Sequence, residues 1–176
     1  MIIINGDVAY DLDSANGTRY INFLKMSQEF LSTVPFILIP GNHENLSNDD
    51  KLLYKTTFKV YGIDVKLTSG FQFADLYFTL FDPFNFVYFK EETINSLDAL
   101  TSQLTIGKET GLFMIPVSHY PLVCSGEALF CQDRLLRMYP YFHAMIDAGS
   151  CLYLGAHTHD YERTYPYFKN ESFGVI

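Results

Sequence analysis

Tryptophan is absent from this 176-residue chain, cysteine occurs three times, and lysine plus arginine total 12 against 20 acidic residues. The shortage of basic residues leaves a formal net charge of -8, which argues against nucleic acid or an anionic membrane surface recognised through bulk charge. It does not argue against a small phosphorylated substrate, because multivalent cations held in a cleft reverse the local field. No run reaches the roughly 18 consecutive apolar residues of a spanning helix, so no membrane segment is expected. The opening Met1-Ile2-Ile3-Ile4-Asn5-Gly6-Asp7 lacks a basic leader and is too short for a signal peptide, and reads as a buried strand entering a turn. With 48% hydrophobic residues spread evenly along the chain, disorder is excluded and one substantial core is expected.

Among the three cysteines, Cys124 and Cys131 stand seven apart in a polar stretch, whereas Cys151 opens an apolar run. A local disulfide between the first two is one reading, leaving Cys151 as a buried thiol. Three sequons, beginning at Asn16, Asn45 and Asn170, accompany them. Together these signals tilt the expected location to an oxidising compartment, secreted or lysosomal/vacuolar.

No repeat, linker or low-complexity tract interrupts the chain, and one domain is expected. Residues 2–5 and 36–39 read as short buried strands, too apolar to alternate. Between them residues 18–33 carry a helical pattern, with Tyr20, Phe23, Leu24, Phe30 and Leu31 near one face and Pro35 beyond the end. Residues 76–81 and 86–89 read as strands about an Asp82-Pro83 turn, and 93–104 as a helix. A third buried strand at 112–117, a helix at 133–147 and a fourth strand at 152–154 complete an α/β alternation.

Polar residues fall in a pattern. Each of the four buried strands is followed by a turn bearing Asp, Asn or His, and open α/β sheets gather ligands at the carboxyl ends of strands. The turns are Gly6-Asp7-Val8-Ala9-Tyr10, Gly41-Asn42-His43-Glu44, Ser118-His119 and His157-Thr158-His159. They offer a carboxylate (Asp7), a phenol (Tyr10), an amide oxygen (Asn42) and four of the chain's five imidazoles (His43, His119, His157, His159). Hard oxygens mixed with imidazole suit Fe, Mn or Zn rather than Ca, and the absence of cysteine argues against a structural zinc site. So many donors exceed what one tetrahedral ion takes and fit two adjacent ions.

Each turn also has a plainer reading. Gly-Asp after a strand is often a turn with a cap, Gly-Asn-His-Glu can start a helix, and a single histidine before Tyr-Pro is by default a satisfied side chain. His157-x-His159 in a strand-like run would place both rings on one side, a chelating geometry. Their conjunction, each after a strand, favours a metal centre.

These residues resemble the metallophosphoesterase (calcineurin-like) superfamily and, within it, the purple acid phosphatases, whose Gly-Asp-x-x-Tyr and Gly-Asn-His-Asp/Glu motifs match here in full. The Asp160-Tyr161-Glu162-Arg163-Thr164-Tyr165-Pro166 stretch resembles their usual continuation. The resemblance implies an α/β sandwich with mixed sheets and metal-binding turns at the strand ends. It implies that Asp7 bridges two ions, that Tyr10 and His159 hold Fe(III), and that Asn42, His119 and His157 hold a divalent ion (Fe, Zn or Mn). His43 is then the catalytic, non-ligating residue, and the activity is acid hydrolysis of a phosphomonoester. Some relatives also carry a cysteine-containing loop where Cys124 and Cys131 fall. Ala156 stands where the family's last motif has glycine, and Pro116 where the motif ending in His119 has valine. The family's Asp-x-Gly motif belongs to an earlier strand, so the expectation is an incomplete catalytic domain over 1–176, without that carboxylate and without an amino-terminal β-sandwich. Phosphodiester or pyrophosphate hydrolysis, and an inactive fragment, are the competing readings. Oligomeric state is not legible.

Overall fold

A computed structural model describes residues 1–46, 53–54, 68–89, 94–126, 131 and 134–164. Strand β1 (Ile2–Asn5) pairs in parallel with β2 (Phe36–Ile39), Ile2 opposite Phe36 and Asn5 opposite Ile39. A second sheet holds β3 (Ser69–Phe73), β4 (Leu76–Leu80) and β5 (Phe113–Val117), with β3 antiparallel and β5 parallel to β4. The expected mixed-sheet α/β sandwich is what forms, and the alternation of side chains explains why. Along β1 and β2, Ile4, Phe36 and Leu38 join one apolar cluster while Ile3, Ile37 and Ile39 join another. The second cluster also takes Phe78 and Leu80 from β4 and Ile115 and Val117 from β5, so it is the seam between the sheets. Tyr77 and Met114 point the other way, to the main core beneath the helices. Strands buried on both faces have no polar face to show, hence their continuous apolar runs.

Helix α1 (Ser14–Leu31) covers the outer face of the β1–β2 pair through Tyr20, Phe23 and Leu24. Its first turn is not helical: Ala15, Asn16 and Gly17 adopt left-handed backbone, so the regular helix begins at Thr18, as the sequence predicts. Phe30, expected on the buried face, is 42% exposed, and the small Ser27 takes the buried position instead. Helices α4 (Ile94–Thr110) and α5 (Tyr139–Ala148) cover the other sheet, contributing Leu100, Leu104, Tyr141 and Met145 to the main core.

Several expectations need correction. The aromatic run at 86–89 lies in a short helix, α3 (Phe84–Phe89), not a strand. Asp82 Oδ1 accepts the Phe84 N–H at 3.0 Å and Pro83 O accepts from Val87, so Asp82-Pro83 starts a helix rather than turning a hairpin. The hairpin is formed by β3, which the sequence reading left out. The helix expected over 133–147 begins, within the described residues, as a 3-10 turn at Leu135–Met138 before α5. The fourth strand contracts to a single bridge, Val117 with Leu154. Cys124 and Cys131 do form a disulfide, whereas Cys151 is exposed rather than buried. Asn170 lies outside the described residues; Asn45 donates to Gly41 O and Asp82 Oδ2. No described helix is long and apolar enough to cross a membrane.

Candidate metal centre

The carboxyl ends of β1 and β2 meet through two glycines. A side chain on Gly6, whose φ is +81°, would lie 2.4 Å from His119 Nδ1 and 2.8 Å from the Gly41 backbone. One on Gly41 would lie 2.2 Å from Asp7 Oδ1. Only glycine lets the turns approach so closely. The joint is pinned by Glu44, which is 1% exposed. Its carboxylate accepts the backbone N–H groups of Gly41 (2.6 Å), Val8 (2.7 Å) and Asp7 (2.8 Å). Burial, opposed by these donors and reinforced by the charge of Asp7, raises its pKa. The Gly41-Asn42-His43-Glu44 motif forms the one-turn helix α2 (Asn42–Asn45), and from it Asn42 Oδ1 faces His119 and the His43 N–H faces Asp7.

His119, 2% exposed after β5, is the centre of the cluster. Its Nδ1 lies 2.7 Å from Asn5 O, a contact that makes this nitrogen the donor and turns Nε2 inward. Around Nε2 stand Asp7 Oδ2 at 3.1 Å, His157 Nδ1 at 3.1 Å and Asn42 Oδ1 at 3.2 Å. Ligand atoms of Asp7, His119 and His157 all lie within 4.8 Å of one another. Beside this group Tyr10 Oη touches His159 Nε2. The six expected ligands are thus brought together as four about His119 and a Tyr10–His159 pair. The strand-like run expected at His157-x-His159 does not form, and the two rings meet different partners, His119 for His157 and Tyr10 for His159. Residues 157–160 are bends, and left-handed φ at His157 (77°) and His159 (58°) sends the rings to different partners. Asp7 (52°), Tyr10 (41°) and Asp11 (55°) share that conformation. Such backbone costs roughly 1–3 kcal/mol per residue and collects where function imposes it.

Electrostatics follow the geometry. Burial would raise the Asp7 pKa, but the hydrogen bond and charge of His119 and the His43 N–H outweigh it and hold it low. Burial would lower His119, yet Asp7 and Asn5 O raise it. His157 is pushed down to about 4, first by burial and then by the His119 charge, against the pull of Asp7. Partial burial and the charges of Asp7, Glu44 and Asp11 raise Tyr10. A carboxylate, an amide oxygen and two imidazoles facing one point fit a transition-metal ion in chemistry and number. Holding one requires His119 Nε2 to be deprotonated, because a ligating imidazole is neutral.

His43 does not place its ring among the side-chain contacts around His119 Nε2. Its backbone N–H donates to Asp7 Oδ1 at 3.1 Å, its ring lies 4.1 Å from that of Tyr10, and its Nδ1 is 2.9 Å from Asp11 Oδ1. Asp11 is in turn 3.6 Å from the Arg19 guanidinium. Asp11 and Glu44 are the site residues that ligand counting missed. Nothing in their spacing shows that one orients His43 and the other gathers three backbone donors.

An α/β sandwich that collects oxygen and imidazole donors at its strand ends defines a metallohydrolase-type scaffold. Residues 1–161 match the model of the calcineurin-like phosphoesterases, and the chain belongs to that family. It is 23% identical to human acid phosphatase type 7 over 96% of its own length and 41% of that protein. The zebrafish acid phosphatase type 7 is 24% identical, over 98% of this chain and 43% of the relative. The chain therefore spans about two-fifths of the length of these relatives. The fold is that of the purple acid phosphatase PPD1 from yellow lupin seeds, with a TM-score of 0.78 at 17% identity, over 97% of this chain and 32% of the lupin chain.

Proposed function

We propose that this chain carries the catalytic centre of a metal-dependent phosphomonoesterase of the acid phosphatase type. The observation that carries the reading is the convergence of Asp7, Asn42, His119 and His157 on one point, with Tyr10 and His159 adjoining. Asp7, Asn42, His119 and His157 would hold a divalent ion (Fe, Zn or Mn), and Tyr10 and His159, with Asp7 beside them, would hold Fe(III). A dinuclear pair supplies Lewis acidity toward the phosphoryl oxygens and lowers the pKa of a bound water. The protein's own part is placement and proton handling. Asn5 O fixes the His119 ring, and Glu44 holds the Asp7 turn rigid. Asp11 anchors His43 through Nδ1, leaving Nε2 to meet the leaving-group oxygen and give it a proton. The substrate is a small phosphorylated molecule, and the disulfide supports an oxidising compartment.

Metal analysis, a visible spectrum and turnover of a chromogenic phosphomonoester at acidic pH test the reading together. About two metals per chain, a charge-transfer band from Tyr10 and turnover are expected. His157→Ala should remove metal-dependent turnover, whereas His43→Ala should keep the metal and slow turnover about 10²–10⁴-fold. Unchanged turnover in His157→Ala, or loss of metal in His43→Ala, contradicts the assignments.

A further inference from the structure

The Asp160-Tyr161-Glu162-Arg163 stretch, beyond the last ligand turn, has no task in the reading above. His159 is the one expected ligand that stands exposed; Asn42 and His119 are buried, and Asp7, Tyr10 and His157 half-buried. Enclosure therefore does not set its place, and left-handed backbone such as that of His157 and His159 persists only where surrounding contacts hold it. Past His159 the chain stays at the surface at Asp160, Tyr161 and Arg163, but Glu162 turns inward. Its Oε2 accepts the Ser125 N–H at 3.0 Å and the Ser125 hydroxyl at 3.2 Å, and its Oε1 is closed off from solvent.

Ser125 is a fixed post. It follows Cys124, which packs against the main core and is joined to Cys131. The segment that ends at Ser125 begins at His119, whose O accepts the Ala156 N–H at 2.9 Å. From 119 to 125, and from 156 to 162, each segment advances six positions before the two meet again at Ser125 and Glu162. Two loops that carry ligand histidines are thus tied at both ends, and the Tyr153 hydroxyl, donating to Tyr120 O, reinforces the first tie. That first tie adjoins His157, whereas the second stands just beyond His159.

We propose that Glu162 is a positioning residue for the Tyr10–His159 site: by gripping Ser125 beside the Cys124–Cys131 disulfide, it holds the His159 ring against Tyr10. The inference rests on the reading of Tyr10 and His159 as ligands of Fe(III). Glu162 acts through the backbone of the turn and not at the ion. Without the tie, the ion itself must order the His159 loop when it binds, and that ordering subtracts from its affinity.

Glu162→Ala tests this in two ways, with and without metal. In the chelated protein, nuclear Overhauser contacts between the Tyr10 and His159 rings, whose centres stand 5.9 Å apart, should weaken sharply while Tm stays that of the parent. In a titration of metal-free protein with ferric citrate, the Tyr10 charge-transfer band should need about tenfold more ferric ion, the worth of hydrogen bonds to a charged acceptor. Glu162→Gln, whose amide oxygen still accepts from Ser125, should recover most of both. Unchanged ring contacts in Glu162→Ala overturn the tie, and weakened contacts with unaltered ferric uptake overturn the positioning role; in either case the reading of Tyr10 and His159 as ligands stands. A wild-type protein that gives no charge-transfer band with ferric citrate overturns that reading, and this inference with it.

Discussion

At the scale of single residues, the site depends on Glu44 as much as on any ligand. Its carboxylate takes three backbone N–H groups from two turns that are 33 or more positions apart in the chain, and is almost wholly enclosed. Removing an acceptor from buried donors costs their desolvation as well as the bonds. Glu44→Ala should therefore cost about 3 kcal/mol or more, and Glu44→Gln about half of that, since the amide oxygen still accepts. Urea unfolding in the presence of chelator measures this apart from any metal effect. A loss below about 1 kcal/mol for Glu44→Ala would mean that the turns hold their shape without it.

At the scale of elements, what matters is how closely the ends of β1 and β2 approach. Gly41 has an ordinary φ of -98°, so its requirement is one of space alone, with Asp7 Oδ1 and Asp7 N in the way of any Cβ. Gly149 is the reverse: it ends α5 at φ 85° with nothing within 4 Å. Gly41→Ala should destabilise by about 1–3 kcal/mol and also abolish tight metal uptake, because Asp7 must move. Gly149→Ala should cost about 1–2 kcal/mol through left-handed backbone strain and leave metal uptake intact. Equal metal titrations for Gly41→Ala and the parent protein would refute the close-approach argument. The same elements show what the sequence reveals. The apolar runs of β1, β2 and β5 mark strands buried on both faces, and the polar turns after them mark where donors converge. Phe86 to Phe89 mislead because an aromatic run fits either a strand or a helix facing the core, and the capping contact of Asp82 decides it. Ser69–Phe73 escapes notice because Gly70 interrupts it, although that glycine is where the Tyr77 hydroxyl and Gln103 press against the strand. The divergence of His157 and His159 is invisible in sequence, because left-handed φ at a histidine has no compositional mark.

At the scale of the whole molecule, the cluster joins parts of the chain that otherwise share little. Asp7 follows β1, Asn42 opens α2, His119 follows β5, and His157 lies beyond the bridge at Leu154. A cation held by all four is bound by the folded chain and not by the unfolded one, so its binding energy adds to stability. At a free concentration about a hundred times the dissociation constant the gain is about 2.7 kcal/mol. For a chain of 176 residues this corresponds to a rise in Tm of about 5–10 °C. Calorimetric melts with chelator and with added zinc or manganese should show that rise. His157→Ala should lose most of it, while His143→Ala, an exposed histidine on α5, should keep it. Identical melting in chelator and in metal would mean that the four turns are assembled by packing alone and hold no ion tightly. A rise that persists in His157→Ala but vanishes in His143→Ala would place the ion elsewhere in the molecule.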